Sequence, residues 1–345
     1  MNALLSSEAE SSRASEINMP LHLSPAPLDA AGLAACSEHA VIELAQPGDP
    51  LVVTFGFAQW ETVPAFDFIG RLRKLEGLLG QRFHRIHLRD PQRAWYLRGV
   101  LGLGIDVAST AAALNRAVDA LKPSRVLTLG QSMGGYGAIL FGNLLNADRV
   151  LAFGALSTMS PDISRGHGDT RWLSIMQALD DDHLLGPTTD LVHALTARPG
   201  NVDLRLHYGE RPDAPEHGHE NLDLHHARRF AKLPGCRITL HPAAAHAVSD
   251  HLRRSHELDA CLLHDLFDVD KDLLHRRSRP ALDDGWLQWI AENFLRGCSS
   301  DSMFTSMCDS GINPITARSA MAAIERDPSC RAAHLVLARM RDGTC

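Results

Sequence analysis

Two patterns of apolar residues alternate along the chain from residue 40 onward. Short stretches at residues 40–44 (AVIEL), 51–55 (LVVTF), 125–130 (RVLTLG) and 149–156 (RVLAFGAL) read as strands, and LVVTF and RVLTLG have the near-continuous apolar texture of strands buried on both faces. Residues 82–89 (RFHRIHLR) alternate and read as a further strand. Between these lie stretches with helical spacing at residues 67–80, 107–121 and 134–145. The first ends on a glycine suited to a C-cap, and the second is stopped by Lys122-Pro123. Strands and helices alternating over short links predict a mostly parallel sheet with helices on both faces, because parallel neighbours need crossovers.

After Ser157 the rhythm breaks. Residues 158–200 hold one or two helices (TRWLSIMQAL, TTDLVHALTA) and no clear strand, as expected of an inserted cap or lid. The rhythm returns with strands at 202–209 and 236–242 and helices at 222–233 and from about 248 to 267. Beyond about residue 270 only short amphipathic helices are expected: GWLQWIAENFLRG, with Trp286, Trp289, Ile290 and Phe294 on one face; a helix with Met303, Phe304 and Met307; one opened by Asn313-Pro314; and one after Pro328. Three parts follow. Residues 1–38, rich in Ser, Glu and Ala, are expected to be mobile; residues 39–268 form the α/β domain; residues 269–345 form a helical module.

Composition narrows the function classes. Of 345 residues, 45% are apolar and 22% charged, ordinary for a globular chain of one large domain with an appendage. A net charge of -7 argues against a nucleic-acid partner. The seven cysteines are odd in number, widely spaced and without a CxxC, which argues against a disulfide framework or a zinc knuckle. The N-terminus lacks the basic start and apolar core of a signal peptide, and no stretch is apolar enough to span a bilayer, so a cytoplasmic location is expected.

The candidate chemistry sits at residues 126–140, VLTLGQSMGGYGAIL. Gly130-Gln131-Ser132-Met133-Gly134 matches G-x-S-x-G, with an apolar strand directly before it and a helix directly after, the context that a nucleophile elbow requires. A tight glycine-rich turn holding an inert serine is the competing reading, and a phosphate loop is weakened by the lack of a following Lys-Ser/Thr. A nucleophilic serine needs a base after the last strand. His246, beyond the small-residue loop of HPAAAHAVSD, fits, and His241 at the strand end is the alternative. The acid is expected after the preceding strand, where Asp213 ranks first, Asp223 second and Glu210 third; Asp223 sits where a helix begins and competes with an N-cap role. Oxyanion donors are expected at the backbone of Met133 and, after LVVTF, of Phe57.

Taken together, this order resembles the α/β-hydrolase superfamily over roughly residues 40–265. HRIHLRDPQRAWYLRGV, GQSMGGYGAILFG, the GDTRW stretch at 168–172 and the D-x-x-H-A at 223–227 resemble bacterial serine hydrolases or acyltransferases associated with glycan or secondary-metabolite pathways and helical-repeat partners. Glycan O-acetyltransferases of accessory secretion systems are similar in outline. The oxyanion loop departs from the superfamily's usual His-Gly start, having Phe55-Gly56. The helical tail is similar to a segment found beside some cupin-like hydroxylase domains, but no H-x-D triad follows, so no oxygenase is implied.

The resulting expectation is an ester or thioester hydrolase working through an acyl-enzyme on Ser132, with no cofactor. An O-acyltransferase on a glycan or peptide acceptor, or a non-catalytic hydrolase-fold scaffold, stands beside it. Trp95 and Tyr96 line the substrate mouth or form a packed pair; Trp172 is a lid or core residue. His217, His219, His225 and His226 lack metal-site spacing, so no metal is expected. The expected partners are a small-molecule or acylated substrate and a protein docked on the C-terminal helices.

Overall fold

Seven strands form one sheet in the order β1-β3-β2-β4-β5-β6-β7 in the computed structural model, which describes residues 38–198, 200, 202–212, 221–269, 282, 284–312 and 314–341. The strands are β1 (Ala40–Glu43), β2 (Leu51–Phe55), β3 (His84–Leu88), β4 (Val126–Gln131), β5 (Arg149–Phe153), β6 (Asp203–Gly209) and β7 (Arg237–His241). All neighbours are parallel except β1, which runs antiparallel to β3 at the sheet edge. The seven residues between β1 and β2 are too few for a parallel crossover, so β1 is laid down in the opposite sense. The architecture is a mostly parallel sheet with helices on both faces and a helical C-terminal segment.

Strand parity divides the core in two. Leu51, Val53 and Phe55 of β2 face one layer, where they meet α2 (Val107–Leu121), α3 (Met133–Leu144) and α7 (Asp223–Phe230). Val52, Leu127, Leu129, Leu151 and Phe153 face the other, against α1 (Ile69–Leu79), α8 (Val248–Arg254) and α9 (Leu258–Asp265). A Val, Leu, Ile or Phe side chain buried in this way contributes about 1.5–3 kcal/mol, which is why β2, β4 and β5 need apolar residues at both parities. α2 is anchored by a capping box in which Asp106 Oδ1 accepts from the Ser109 amide at 2.7 Å.

The stretch between β5 and β6 holds three α-helices, more than its periodicity suggests: α4 (Pro161–Gly166), α5 (Leu173–Asp181) and α6 (Leu191–Ala197), with a 3₁₀ turn at Pro187–Thr189. At six residues α4 is too short to show a period; its signal is the Ser160-Pro161 cap pair. The single helix expected from 248 to 267 is broken into α8 and α9, with His256 in left-handed backbone between them. The C-terminal helices are α10 (Asp284–Leu295), α11 (Ser300–Asp309), α12 (Pro314–Arg326) and α13 (Pro328–Arg341). They close over a separate core of Ile290, Met303, Met307, Ile312, Ala317 and Met321, with Trp286, Trp289 and Phe294 packed against it. Residues 1–37, Asn313 and residues 342–345 lie outside the described residues.

Candidate active site

Ser132 occupies the single residue between the end of β4 and the start of α3, with φ 58° and ψ -120°. Left-handed backbone of this kind is strained for any side chain and persists only where the surroundings impose it. The surroundings here are glycines. A Cβ on Gly130 would stand 2.1 Å from the Gly134 carbonyl oxygen, and one on Gly134 would stand 2.0 Å from that of Phe55. Strand, turn and helix can therefore approach closely enough to lift Ser132 Oγ off the sheet end. The next residue, Met133, opens α3, so the helix N-terminus and its unsatisfied amides point at the site.

His246 meets this hydroxyl. Its Nε2 lies 2.7 Å from Ser132 Oγ, and its Nδ1 lies 2.6 Å from Asp223 Oδ2. With the proton on Nδ1 donated to the carboxylate, Nε2 is left to accept from the serine hydroxyl. Gln131, the variable residue of the motif, fixes the histidine loop: its Nε2 donates to the His246 carbonyl at 3.0 Å, and its Oε1 accepts from the Ser249 amide at 3.0 Å. His241, the alternative base, is elsewhere, with its Nε2 2.9 Å from His207 Nδ1.

Asp223 is fully buried at the start of α7, and its own amide donates to Asn221 Oδ1 at 2.9 Å. Burial alone would raise its carboxyl pKa, yet His246 and Arg171 together bring it down to about 2. Asp213, ranked above it from the sequence, lies outside the described residues, as do His217 and His219. Glu210 follows β6 directly and donates its amide to the His241 carbonyl at 3.1 Å. Counting along the 210–223 loop could not separate these candidates, because only the fold reveals which carboxylate the start of α7 turns inward.

The loop after β2 runs beside the elbow. The Gly56 amide is committed to the Leu88 carbonyl at 2.8 Å, whereas the Phe57 amide has no partner among the described residues. The Met133 amide, first in its helix, likewise has no intrahelical acceptor. Trp95 and Tyr96 do not line a mouth. They are 1% and 0% exposed, both in left-handed backbone, and the Tyr96 hydroxyl donates to the Gly56 carbonyl at 2.8 Å. The correction is physical: Asp90 accepts the Ala94 and Tyr96 amides and curls this loop so that both rings turn inward. Trp172 is partly buried between Trp95 and the half-exposed Trp60, at ring separations of 5.4 and 5.6 Å. A cleft of about 450 Å³ beside α5 is lined by Trp60, Arg93, Arg98, Ser174 and Leu179; Ser132, His246 and Asp223 do not border it.

Two charged residues of the GDTRW stretch, to which the sequence alone assigns no role, meet the acid. Arg171 Nη2 donates to Asp223 Oδ1 at 2.8 Å, and Asp169 grips the same guanidinium through Nε at 2.9 Å and Nη2 at 2.7 Å. His226, one of the histidines expected to hold no metal, is buried; its Nδ1 accepts from the Ser157 amide at 3.0 Å and lies 2.9 Å from the Ser157 hydroxyl. His225 stacks on His167. Among the described residues, His207, Cys261 and Asp265 form a group of metal-ligand type on the far side of the sheet, with His207 Nε2 3.3 Å from Asp265. No helix among the described residues is long and apolar enough to cross a membrane.

No protein-family model and no curated protein matches the sequence. Among solved structures, the chain is similar to the capsule O-acetyltransferase of Neisseria meningitidis serogroup A, at 14% identity over 64% of this chain and 90% of that one, with a TM-score of 0.45. It is also similar to the glycosylation-associated Gap123 complex of Streptococcus agalactiae (16% identity, 64% and 42% covered, TM-score 0.42). A third likeness is to the fluorophosphonate-binding serine hydrolase FphF of Staphylococcus aureus (15% identity, 62% and 84% covered, TM-score 0.41). Likenesses this distant do not bear on the chemistry.

Proposed function

We propose that the protein is a serine hydrolase acting on an ester or thioester through an acyl-enzyme on Ser132. The observation that carries this reading is the unbroken line from Ser132 Oγ through the His246 ring to Asp223, at 2.7 and 2.6 Å. Ser132 Oγ attacks the substrate carbonyl carbon as its proton passes to His246 Nε2. Asp223 stabilises the imidazolium that forms. The new oxyanion is held by the Met133 and Phe57 amides, a pair of donors of which each is typically worth about 10²–10³ in rate. The tetrahedral species collapses as His246 returns the proton to the leaving alcohol or thiol. Water, deprotonated by the same imidazole, then releases the acid and frees the serine. A sugar or peptide hydroxyl replacing that water makes the same site an O-acyltransferase, and an acceptor-dependent product separates the two. The expected location is the cytoplasm.

A fluorophosphonate probe tests the reading. Wild type is expected to label and Ser132→Ala not to label; a folded wild-type protein that stays unlabelled overturns it in favour of a non-catalytic scaffold.

A further inference from the structure

The carboxylate facing His246 belongs to a buried chain of charge. Asp223 opens α7, whereas Arg171 lies 52 residues earlier, in the link between α4 and α5. Side-chain exposure is 2% for Asp169, 9% for Arg171 and 0% for Asp223. Burying an ion triad of this kind is costly, and apolar residues of similar size are often as stable or more so. A role in fold stability alone therefore accounts poorly for three charges converging on one imidazole partner. Arg171 meets both carboxylates, with its Nη2 shared between Asp169 Oδ2 and Asp223 Oδ1.

We propose that Arg171 and Asp169 are positioning residues that fix Asp223 and set the basicity of His246. The proposal rests on the reading of Ser132 and His246 as nucleophile and base. Its logic is electrostatic. The carboxylates of Asp169 and Asp223 favour the imidazolium that forms when His246 takes the serine proton, and the Arg171 guanidinium between them opposes it. Asp169 thus cancels Arg171 and leaves Asp223's charge to meet the imidazolium, while Arg171 holds the carboxylate in place through the oxygen that His246 does not use. Other titratable and charged groups lie around this cluster. His226 Nε2 lies 3.6 Å from Asp169 Oδ2, Tyr208 on β6 is buried near Asp223, and Arg229 farther along α7 pairs with Asp190 and Ser157.

The sign of each substitution follows. Asp169→Asn keeps an acceptor for Arg171 but removes its neutralising charge, so the imidazolium forms beside an uncompensated cation and His246 becomes a weaker acid-side proton acceptor. Arg171→Gln removes the cation and makes His246 more basic. A charge within about 4–6 Å shifts a neighbouring group by about one to three pH units. The experiment is the rate of fluorophosphonate labelling of the full chain against pH, which reads Ser132–His246 reactivity without a known substrate. The acid limb is expected to move down by about one unit or more in Asp169→Asn and up by a similar amount in Arg171→Gln, with Arg171→Lys returning it close to wild type. Limbs that stay in place, or that move in the same direction in folded variants, overturn the proposal. If Arg171→Gln does not fold, Asp169→Asn and Arg171→Lys still decide it: a limb unmoved in the first, or displaced upward in the second as by loss of the cation, overturns it. A wild-type protein that fails to label sinks the reading of Ser132 instead, so the two failures are distinct.

Discussion

Ser132 and Asp223 show how a single position can be held in a state it would not adopt alone. The serine is kept in left-handed backbone by glycine packing on either side, and the aspartate is kept ionised with no access to water. Burial works against the Asp223 carboxylate, but His246 and Arg171 more than offset it, and its pKa falls from 3.8 to about 2. The sign of the linkage follows. A depressed carboxyl contributes stability that is fully present above its unfolded pKa, near 4, and lost as pH falls toward 2. Asp223→Asn removes both this contribution and the acceptor that fixes the His246 tautomer. Its labelling rate at neutral pH is expected to drop by about 10³–10⁴. Thermal melts should show wild type losing its advantage over the variant between about pH 4 and pH 2. A variant that labels at the wild-type rate would show that another carboxylate serves His246.

At the scale of elements, the site depends on loops that brace one another. Residues 89–106 carry Tyr96 beneath the loop after β2: its ring packs edge-on to Phe55 at 5.2 Å, and its hydroxyl holds the Gly56 carbonyl, one residue before the proposed Phe57 donor. Tyr96→Phe deletes one buried hydrogen bond, a loss of about 1–2 kcal/mol. The expected result is a lower melting temperature together with labelling slowed several-fold, since Phe57 is no longer held at its register. A lower melting temperature with an unchanged labelling rate would place the loop under other control. The same scale explains what could be read beforehand. The strands, their parallel arrangement and the elbow were legible because LVVTF, RVLTLG and G-Q-S-M-G impose local rules that context seldom overrides. His246 was legible from its place after the last strand. The inward turn of Trp95 and Tyr96 was left open between a packed pair and a substrate mouth, because it depends on Asp90 accepting the Ala94 and Tyr96 amides. The pairing of Arg171 with Asp223 was not legible, being a contact between two segments 52 residues apart that no periodicity encodes.

At the scale of the whole molecule, the sheet and the C-terminal helices have separate hydrophobic cores. Phe83 and Phe267 close the sheet layer at 5.1 Å, and Val269 donates its amide back to Leu263, so among the described residues the layer around α8 and α9 runs to residue 269. α10 to α13 bury Ile290, Met303 and Met307 among themselves. Contact between the two parts includes His256 against Phe304, ring centroids 5.4 Å apart, on the side where α8 leads into α9. Ser132, His246 and Asp223 take every hydrogen bond described above from residues before 250. A chain ending at residue 281 is therefore expected to fold and to label at Ser132 within a few-fold of the full-length rate, because these hydrogen-bond partners of the nucleophile, base and acid remain. Its melting temperature should fall modestly, as the face that met Phe304 becomes exposed. Loss of labelling in a folded truncation would mean that the helical part shapes the site from a distance, and the two cores would then have to be treated as one cooperative unit.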